Sequence, residues 1–282
     1  MKKKRIGIIG AGQMATALAI GFVESGLAQK EVLIVSDPDE KVRTRFAEQT
    51  GATTLDDNRT VATSASIIIL AVKPDKVLQV LSELSDLLDG SKLIISIAAG
   101  VSISTMLDVL DDDARLIRVM PNTPCLIGEG VSAFALGGVA DEEDAKTAAK
   151  LLTSVGVAFQ VEESKIDAVT GLSGSGPAYI FTIIEALTEG GVRMGLPYDV
   201  ALQLATQTVA GSAQMVAQTG EHPAVLKSRV MSPGGTTIAG VQILEEEGIR
   251  AALIAAVETA TMRAEDLGAM FTYGGDDEDD VT

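Results

Sequence analysis

The sequence predicts an α/β protein in two parts, a doubly wound sheet followed by an all-helical region. Two observations carry this. Up to about residue 161, short apolar runs alternate with helix-like runs, and from Ile166 onwards the strand signals stop. Length agrees: 282 residues, 46% of them apolar, can bury a large core and fill two domains.

The strands fall at "KRIGIIG", "EVLIVSD", "SIIILAV", "KLIISIA", "RLIRVM", "VSAFAL" and "VAFQV". Most are nearly continuous apolar runs bounded by Gly, Pro or Asp, as expected where helices cover both faces of a sheet. The helical part reads as Asp167 to Met194, Tyr198 to Gln218, Pro223 to Val230, Thr236 to Glu247 and Ile249 to Phe271. The domains expected are therefore 1–162 and 163–271, with 272–282 as an acidic, disordered tail holding five carboxylates and little apolar surface. No fixed-period repeat is visible, which argues against a solenoid.

Composition removes several function classes. A formal charge of −17 disfavours nucleic acid and anionic membranes, which reward clustered Lys and Arg. The apolar stretches are far shorter than the ~20 residues of a membrane helix, and "MKKKRIGIIGAG" lacks the apolar segment of a signal peptide, so the expected address is cytoplasmic. One cysteine and one histidine leave no internal disulfide and make a His/Cys metal site or a Ser-His-Asp triad improbable, so no metal is expected.

The turn "GIIGAGQMATALAIGF" (7–22) follows the first strand and opens the first helix, and Asp37 ends the second strand. Gly10 permits the tight turn, Gly12 lets a backbone approach a pyrophosphate, and Ala15 allows close helix packing, the arrangement of a Rossmann-type dinucleotide site. Asp37 would accept hydrogen bonds from the ribose hydroxyls of NAD and repel the 2′-phosphate of NADP unless Lys41 or Arg43 compensates. It also stands before Pro38, where it reads equally as a helix cap.

Two further glycine-rich stretches are more unusual. "VTGLSGSGPAYIF" (169–181) places three glycines, Gly171, Gly174 and Gly176, within a helical segment, at ~1 kcal/mol each relative to alanine, so another backbone or a ligand should come close there. "SPGGTTIAG" (232–240) leaves first-turn amides free beside the Thr236 and Thr237 hydroxyls, which suits a small carboxylate.

Together with "AVKP" (71–74), "SIAAGV" (96–101), "MPNTP" (120–124) and "EHP" (221–223), these stretches resemble the pyrroline-5-carboxylate reductase family over about residues 5–270. The resemblance implies reduction of 1-pyrroline-5-carboxylate to L-proline with NADH or NADPH. It also implies that Gly10, Ala11, Gly12, Gln13 and Met14 line the pyrophosphate, and that Asp37 and Asn58 meet the adenosine ribose. Val72, Lys73 and Pro74 would then flank the cofactor, with Ala98, Ala99 and Asn122 nearer the nicotinamide. Glu163, Ser232, Gly235, Thr236 and Thr237 would bind substrate. Two positions depart from the pattern: Asp37 stands where NADPH-using relatives often carry a small polar residue, and Arg229 replaces an amide before the "SPGG" loop.

A cyclic iminium already carries the charge that hydride attack needs, so no strong acid is required. Thr237 is the candidate to bond the ring nitrogen, although water could equally deliver a proton. His222 reads as a helix entry, Cys125 as a buried hydrophobe, and Lys73 as a cofactor contact rather than a Schiff base. Two alternatives compete, a β-hydroxy-acid or keto-acid dehydrogenase and a non-catalytic dinucleotide sensor. The first should carry a cation in the first long C-terminal helix, yet 167–189 holds no Lys, Arg or His, and the second has no need of the "SPGGTT" loop. The apolar positions of the helices call for a second copy of the chain, and the resemblance implies a homodimer with shared sites, often built into a ring of dimers.

Overall fold

The computed structural model describes residues 5–273, and the acidic stretch from Gly274 lies outside them. The chain forms two compact units: one runs to Ser175 and resumes at Glu258, the other spans Gly176–Val257.

The first unit is an eight-stranded sheet. In chain order it comprises β1 (Ile6–Ile9), α1 (Gln13–Glu24), β2 (Leu33–Ser36), α2 (Glu40–Thr50), β3 (Thr53–Leu55), α3 (Asn58–Ser64), β4 (Ile67–Leu70), α4 (Val77–Leu84), β5 (Leu93–Ser96), α5 (Ile103–Leu107), β6 (Arg115–Met120), β7 (Gly130–Gly138), α6 (Glu142–Leu152) and β8 (Gly156–Gln160). Strand order is β3-β2-β1-β4-β5-β6-β7-β8. Neighbours run parallel through β6, β7 turns antiparallel to β6, and β8 follows β7. The chain reverses winding direction between β1 and β4, which opens a crevice at the carboxyl ends of those strands.

Each predicted strand is present, and β3 is an addition. "TTL" is a three-residue, largely uncovered edge strand with no apolar run to announce it. β1, β4 and β5 are buried along their whole length because helices cover both faces. One core layer gathers Leu18, Phe22, Val35 and Phe46, and the other Val61, Leu70, Leu81 and Leu84. Gly7 is where the second layer closes on the sheet: a Cβ there would sit 2.7 Å from Val61 Cγ1.

Asp39, Asp57, Ser102 and Asp141 cap α2, α3, α5 and α6 with their side chains. The cap of α2 is thus Asp39 and not Asp37; either position satisfies the "SDPDEK" spacing, but it is the Asp39 side chain that accepts from Lys41 N and Val42 N.

The unit continues past Glu162 through α7 (Ile166–Val169), because Ile166 is buried in the sheet's core and Glu163 and Asp167 bond to Arg118. A π-helical turn at Thr170–Gly174 follows, closed by Ser175 N donating to Thr170 O at 2.9 Å. The single helix expected over 167–194 is therefore interrupted. At Gly174 a Cβ would lie 2.4 Å from Met120 Cε, whereas at Gly176 it would meet nothing within 4 Å.

The second unit comprises α8 (Gly176–Arg193), α9 (Tyr198–Thr219), α10 (Pro223–Val230), α11 (Thr236–Glu246) and the start of α12 (Ile249–Tyr273). Taken as one chain it buries few of its own side chains: Thr188 in α8, Ala201 and Ala205 in α9, and none in α10 or α11. Thr272 and Tyr273, expected to open the tail, instead close α12.

Candidate active site

The crevice between β1 and β4 is a cleft of about 590 Å³ whose walls include Gly10, Gly12, Asp37, Asn58, Val72 and Lys73. Gly10 ends β1 with φ +96°, and a Cβ there would meet the Ala71 carbonyl oxygen at 2.6 Å, so only glycine fits. Gly12 differs: its φ of −71° suits any residue, and a Cβ would meet nothing within 4 Å. Space is left open at the start of α1, which has neither a capping side chain nor an acidic residue in its first turn. Its amides and the positive end of its dipole therefore face an anion-sized opening. Gln13 and Met14 belong to that first turn, and Ala11 is buried behind it.

Asp37 ties the cleft together. Its Oδ2 accepts from Ala11 N and its Oδ1 from Asp39 N, each at 2.9 Å, and Arg43 Nη1 donates to the Asp37 carbonyl at 2.7 Å. Each carboxylate oxygen keeps a lone pair for a hydroxyl. Asn58 Oδ1 accepts from Ser36 Oγ at 2.8 Å, fixing the amide beside it. Two cations went unnoticed in the sequence, Arg45 and Lys76, both on the cleft wall. Both lie on helical segments among other charges, Arg45 after Lys41 and Arg43 and Lys76 beside Asp75, and nothing local in the sequence singles them out. Pro74 starts the short helical turn after Lys73 and is not among the wall residues.

Ala98 and Ala99 lie in the loop after β5, the first buried and the second exposed. Asn122 follows β6 and is buried, its Oδ1 accepting from Val131 N at 2.9 Å and its Nδ2 donating to Ser173 O at 3.1 Å. Its amide thus ties the β6 exit to the start of β7 through Oδ1 and to the π-turn through Nδ2. Glu163 is also engaged, accepting at Oε1 from Ile103 N at 2.6 Å and from Arg118 Nη1 at 3.1 Å.

In the second unit, Ser232, Gly235, Thr236 and Thr237 form the entry to α11. Gly234 takes φ +67°, Gly235 N donates to Ser232 O at 3.0 Å, and Gly235 is the N-cap without a capping side chain or a first-turn acid. Several helical hydroxyls fold back onto the carbonyl four residues earlier, as Thr182 and Thr208 do. The Thr237 Oγ1 makes no hydrogen bond among the described residues and is half-buried. This helix entry repeats the plan of α1 at the scale of a carboxylate.

His222 Nδ1 accepts from Ala224 N at 3.2 Å and caps α10, in line with its reading as a helix entry. His222→Ala is expected to lower Tm by about 2–4 °C, the worth of one cap, with kcat/KM within about twofold of the parent. A large drop in kcat at unchanged Tm would make it a catalytic group instead. Cys125 is buried, and burial pushes its thiol pKa up, as befits an inert packing residue. Arg229 grips Glu221 through both guanidinium nitrogens, Nη1 to Oε1 at 2.7 Å and Nη2 to Oε2 at 2.6 Å. Among the described residues no helix is long and apolar enough to cross a membrane, and no cluster of His, Cys, Asp and Glu could hold a metal.

The family model for pyrroline-5-carboxylate reductase dimerisation matches residues 163–267, and that described as NADP oxidoreductase coenzyme F420-dependent matches residues 5–100. A pyrroline-5-carboxylate reductase of Methanosarcina acetivorans is 46% identical over 95% of this chain and 99% of its own length. One of Glycine max is 45% identical over 93% and 95%. Among solved structures, a pyrroline-5-carboxylate reductase of Coxiella burnetii superposes with a TM-score of 0.88 at 34% identity, covering 94% of this chain and 99% of its own. The Plasmodium falciparum pyrroline carboxylate reductase with NADP bound gives 0.86 at 33% identity, over 95% and 99%.

Proposed function

This chain belongs to the pyrroline-5-carboxylate reductase family and reduces 1-pyrroline-5-carboxylate to L-proline with NAD(P)H, and we propose the residue roles by which it does so. The observation that carries the assignment is the pair of uncapped, glycine-led helix entries, at Gly12 and at Gly235. The first takes the dinucleotide pyrophosphate and the second takes the substrate carboxylate.

When bound, the reduced nicotinamide supplies a hydride to the imine carbon. Every other contribution is positional or electrostatic. Gly10 holds the turn that brings the α1 amides to the cleft, and Asp37 fixes the Ala11 amide while offering its remaining lone pairs to the ribose. Asn58 meets the adenosine ribose, Val72 and Lys73 flank the cofactor with Pro74 starting the turn behind them, and Ala98, Ala99 and Asn122 shape the wall nearer the reacting ring. Ser232, Gly235 and Thr236 hold the carboxylate, Glu163 binds the substrate, and Thr237 Oγ1 hydrogen-bonds the ring nitrogen as charge leaves it.

The Thr237 role is tested by Thr237→Ala. Losing one hydrogen bond to the reacting ring should lower kcat about tenfold while KM for NAD(P)H stays within about twofold. A parental kcat would remove Thr237 from the chemistry.

For cofactor choice, Asp37 repels a 2′-phosphate, and Arg45 and Lys76 on the same cleft wall attract one. NADH is the better donor on this reading. Asp37→Ser should move the NADPH/NADH ratio of kcat/KM about tenfold towards NADPH, and an unchanged ratio would leave Asp37 only its tie to the Ala11 amide.

As a functional domain the helical part runs over 163–271, in keeping with the family match at 163–267. The protein works in the cytoplasm as a homodimer, and such pairs assemble into rings.

A further inference from the structure

Arg118 is the one Lys or Arg side chain that is buried among the described residues, only 5% exposed and flanked on β6 by apolar Ile117 and Val119. It pairs with Ser96, the last residue of β5, in the sheet register, so it sits at the carboxyl edge where this fold places its ligands. Its Nη1 donates to Glu163 Oε1 at 3.1 Å and its Nη2 to Asp167 Oδ1 at 3.0 Å, while Nε is buried without a partner. Glu163 Oε1 also accepts from Ile103 N at 2.6 Å, the first amide of α5. Both bonds converge on one carboxylate oxygen, and Oε2 makes none among the described residues.

Stability alone is a weak reason for this arrangement. Removing a guanidinium from water costs several kcal/mol, and well-packed apolar side chains often serve a fold equally well. The unpartnered Nε adds a further desolvation cost. What the cluster does supply is orientation: two donors hold one oxygen of a carboxylate that is 33% exposed, and the surplus of one negative charge suits a cationic ring nitrogen.

We propose that Arg118 is a positioning residue of the reaction, holding Glu163 by Oε1 so that Oε2 remains available to the ring nitrogen of the substrate. The proposal rests on the reading of Glu163 as a substrate contact. Arg118 acts only through that carboxylate and through the anchored start of α5.

The test compares purified Arg118→Met, Arg118→Lys, Glu163→Gln and the Arg118→Met/Glu163→Gln double variant by KM for 1-pyrroline-5-carboxylate, KM for NAD(P)H and Tm. Arg115→Met is the control, since Arg115 starts the same strand and pairs with the buried Asp144, at the other end from the ligands. Expected results are a rise of about tenfold in imine KM for Arg118→Met and for Glu163→Gln, with dinucleotide KM within about twofold. The double variant should be no worse than Glu163→Gln, Arg118→Lys should recover part of the loss, and Arg115→Met should lower Tm without moving either KM. If Arg118→Met does not fold, an imine KM for Arg118→Lys between parent and Glu163→Gln supports the proposal, and a parental KM overturns it. An imine KM unmoved in Arg118→Met, or effects that simply add in the double variant, overturns it while leaving the Glu163 contact intact. An imine KM unmoved in Glu163→Gln removes both.

Discussion

Gly12→Val should fold with a Tm within about 4 °C of the parent and bind NAD(P)H at least about a hundredfold more weakly. The geometry makes the two effects separable. At φ −71° a valine is unstrained, and its Cβ enters a space where no protein atom lies within 4 Å, so the folded state loses only about 1 kcal/mol from a poorer helix start. That same space is where a pyrophosphate must come to reach the first-turn amides, and a branched side chain fills it. Gly10→Ala should behave in the opposite way. Its φ of +96° costs a substituted residue about 1–2 kcal/mol, and a Cβ 2.6 Å from the Ala71 carbonyl adds overpacking of about 1–3 kcal/mol, so stability falls first. Thermal melts with a fluorescence titration of NADH separate the two variants. Parental NADH affinity in Gly12→Val would mean that the pyrophosphate does not approach α1.

The second large effect concerns association. The helical unit leaves Phe181, Leu204, Ile243 and Ile254 each more than half exposed, on four different helices. Apolar surface on that scale marks an interface, and burying each such side chain contributes about 1.5–3 kcal/mol. Light scattering should therefore give at least twice the chain mass of 29.2 kDa. Leu204→Asp with Ile243→Asp would place unpaired carboxylates in that surface and should raise the dissociation constant about a thousandfold, giving monomer at micromolar concentration. An active monomeric parent would contradict the homo-oligomer.

Much of this was legible because local signals agreed. Strand runs bounded by Gly, Pro or Asp, and helix starts at Tyr198 and Pro223, gave elements that stand within a residue or two of where the chain places them. Glycine turns were legible as turns, and the structure divides their reasons: conformation and crowding at Gly10, open space at Gly12, packing on Met120 at Gly174. What escaped depends on distant partners. Three residues of β3 carry no periodicity, and their pairing comes from the neighbouring β2. The two aspartates flanking Pro38 are indistinguishable as caps until the path of the backbone separates them. Arg118 was visible as a charge inside "RLIRVM", but its significance lies in Glu163 and Asp167, 45 and 49 residues further on.

The central claim is the imine reduction itself, and the most direct measurement supplies the purified protein with 1-pyrroline-5-carboxylate and NADH or NADPH. Dinucleotide oxidation and proline should be followed together. The account predicts one proline formed per reduced dinucleotide consumed, with little oxidation when β-hydroxy or keto acids replace the imine. Turnover of those acids, with none on 1-pyrroline-5-carboxylate, would contradict it.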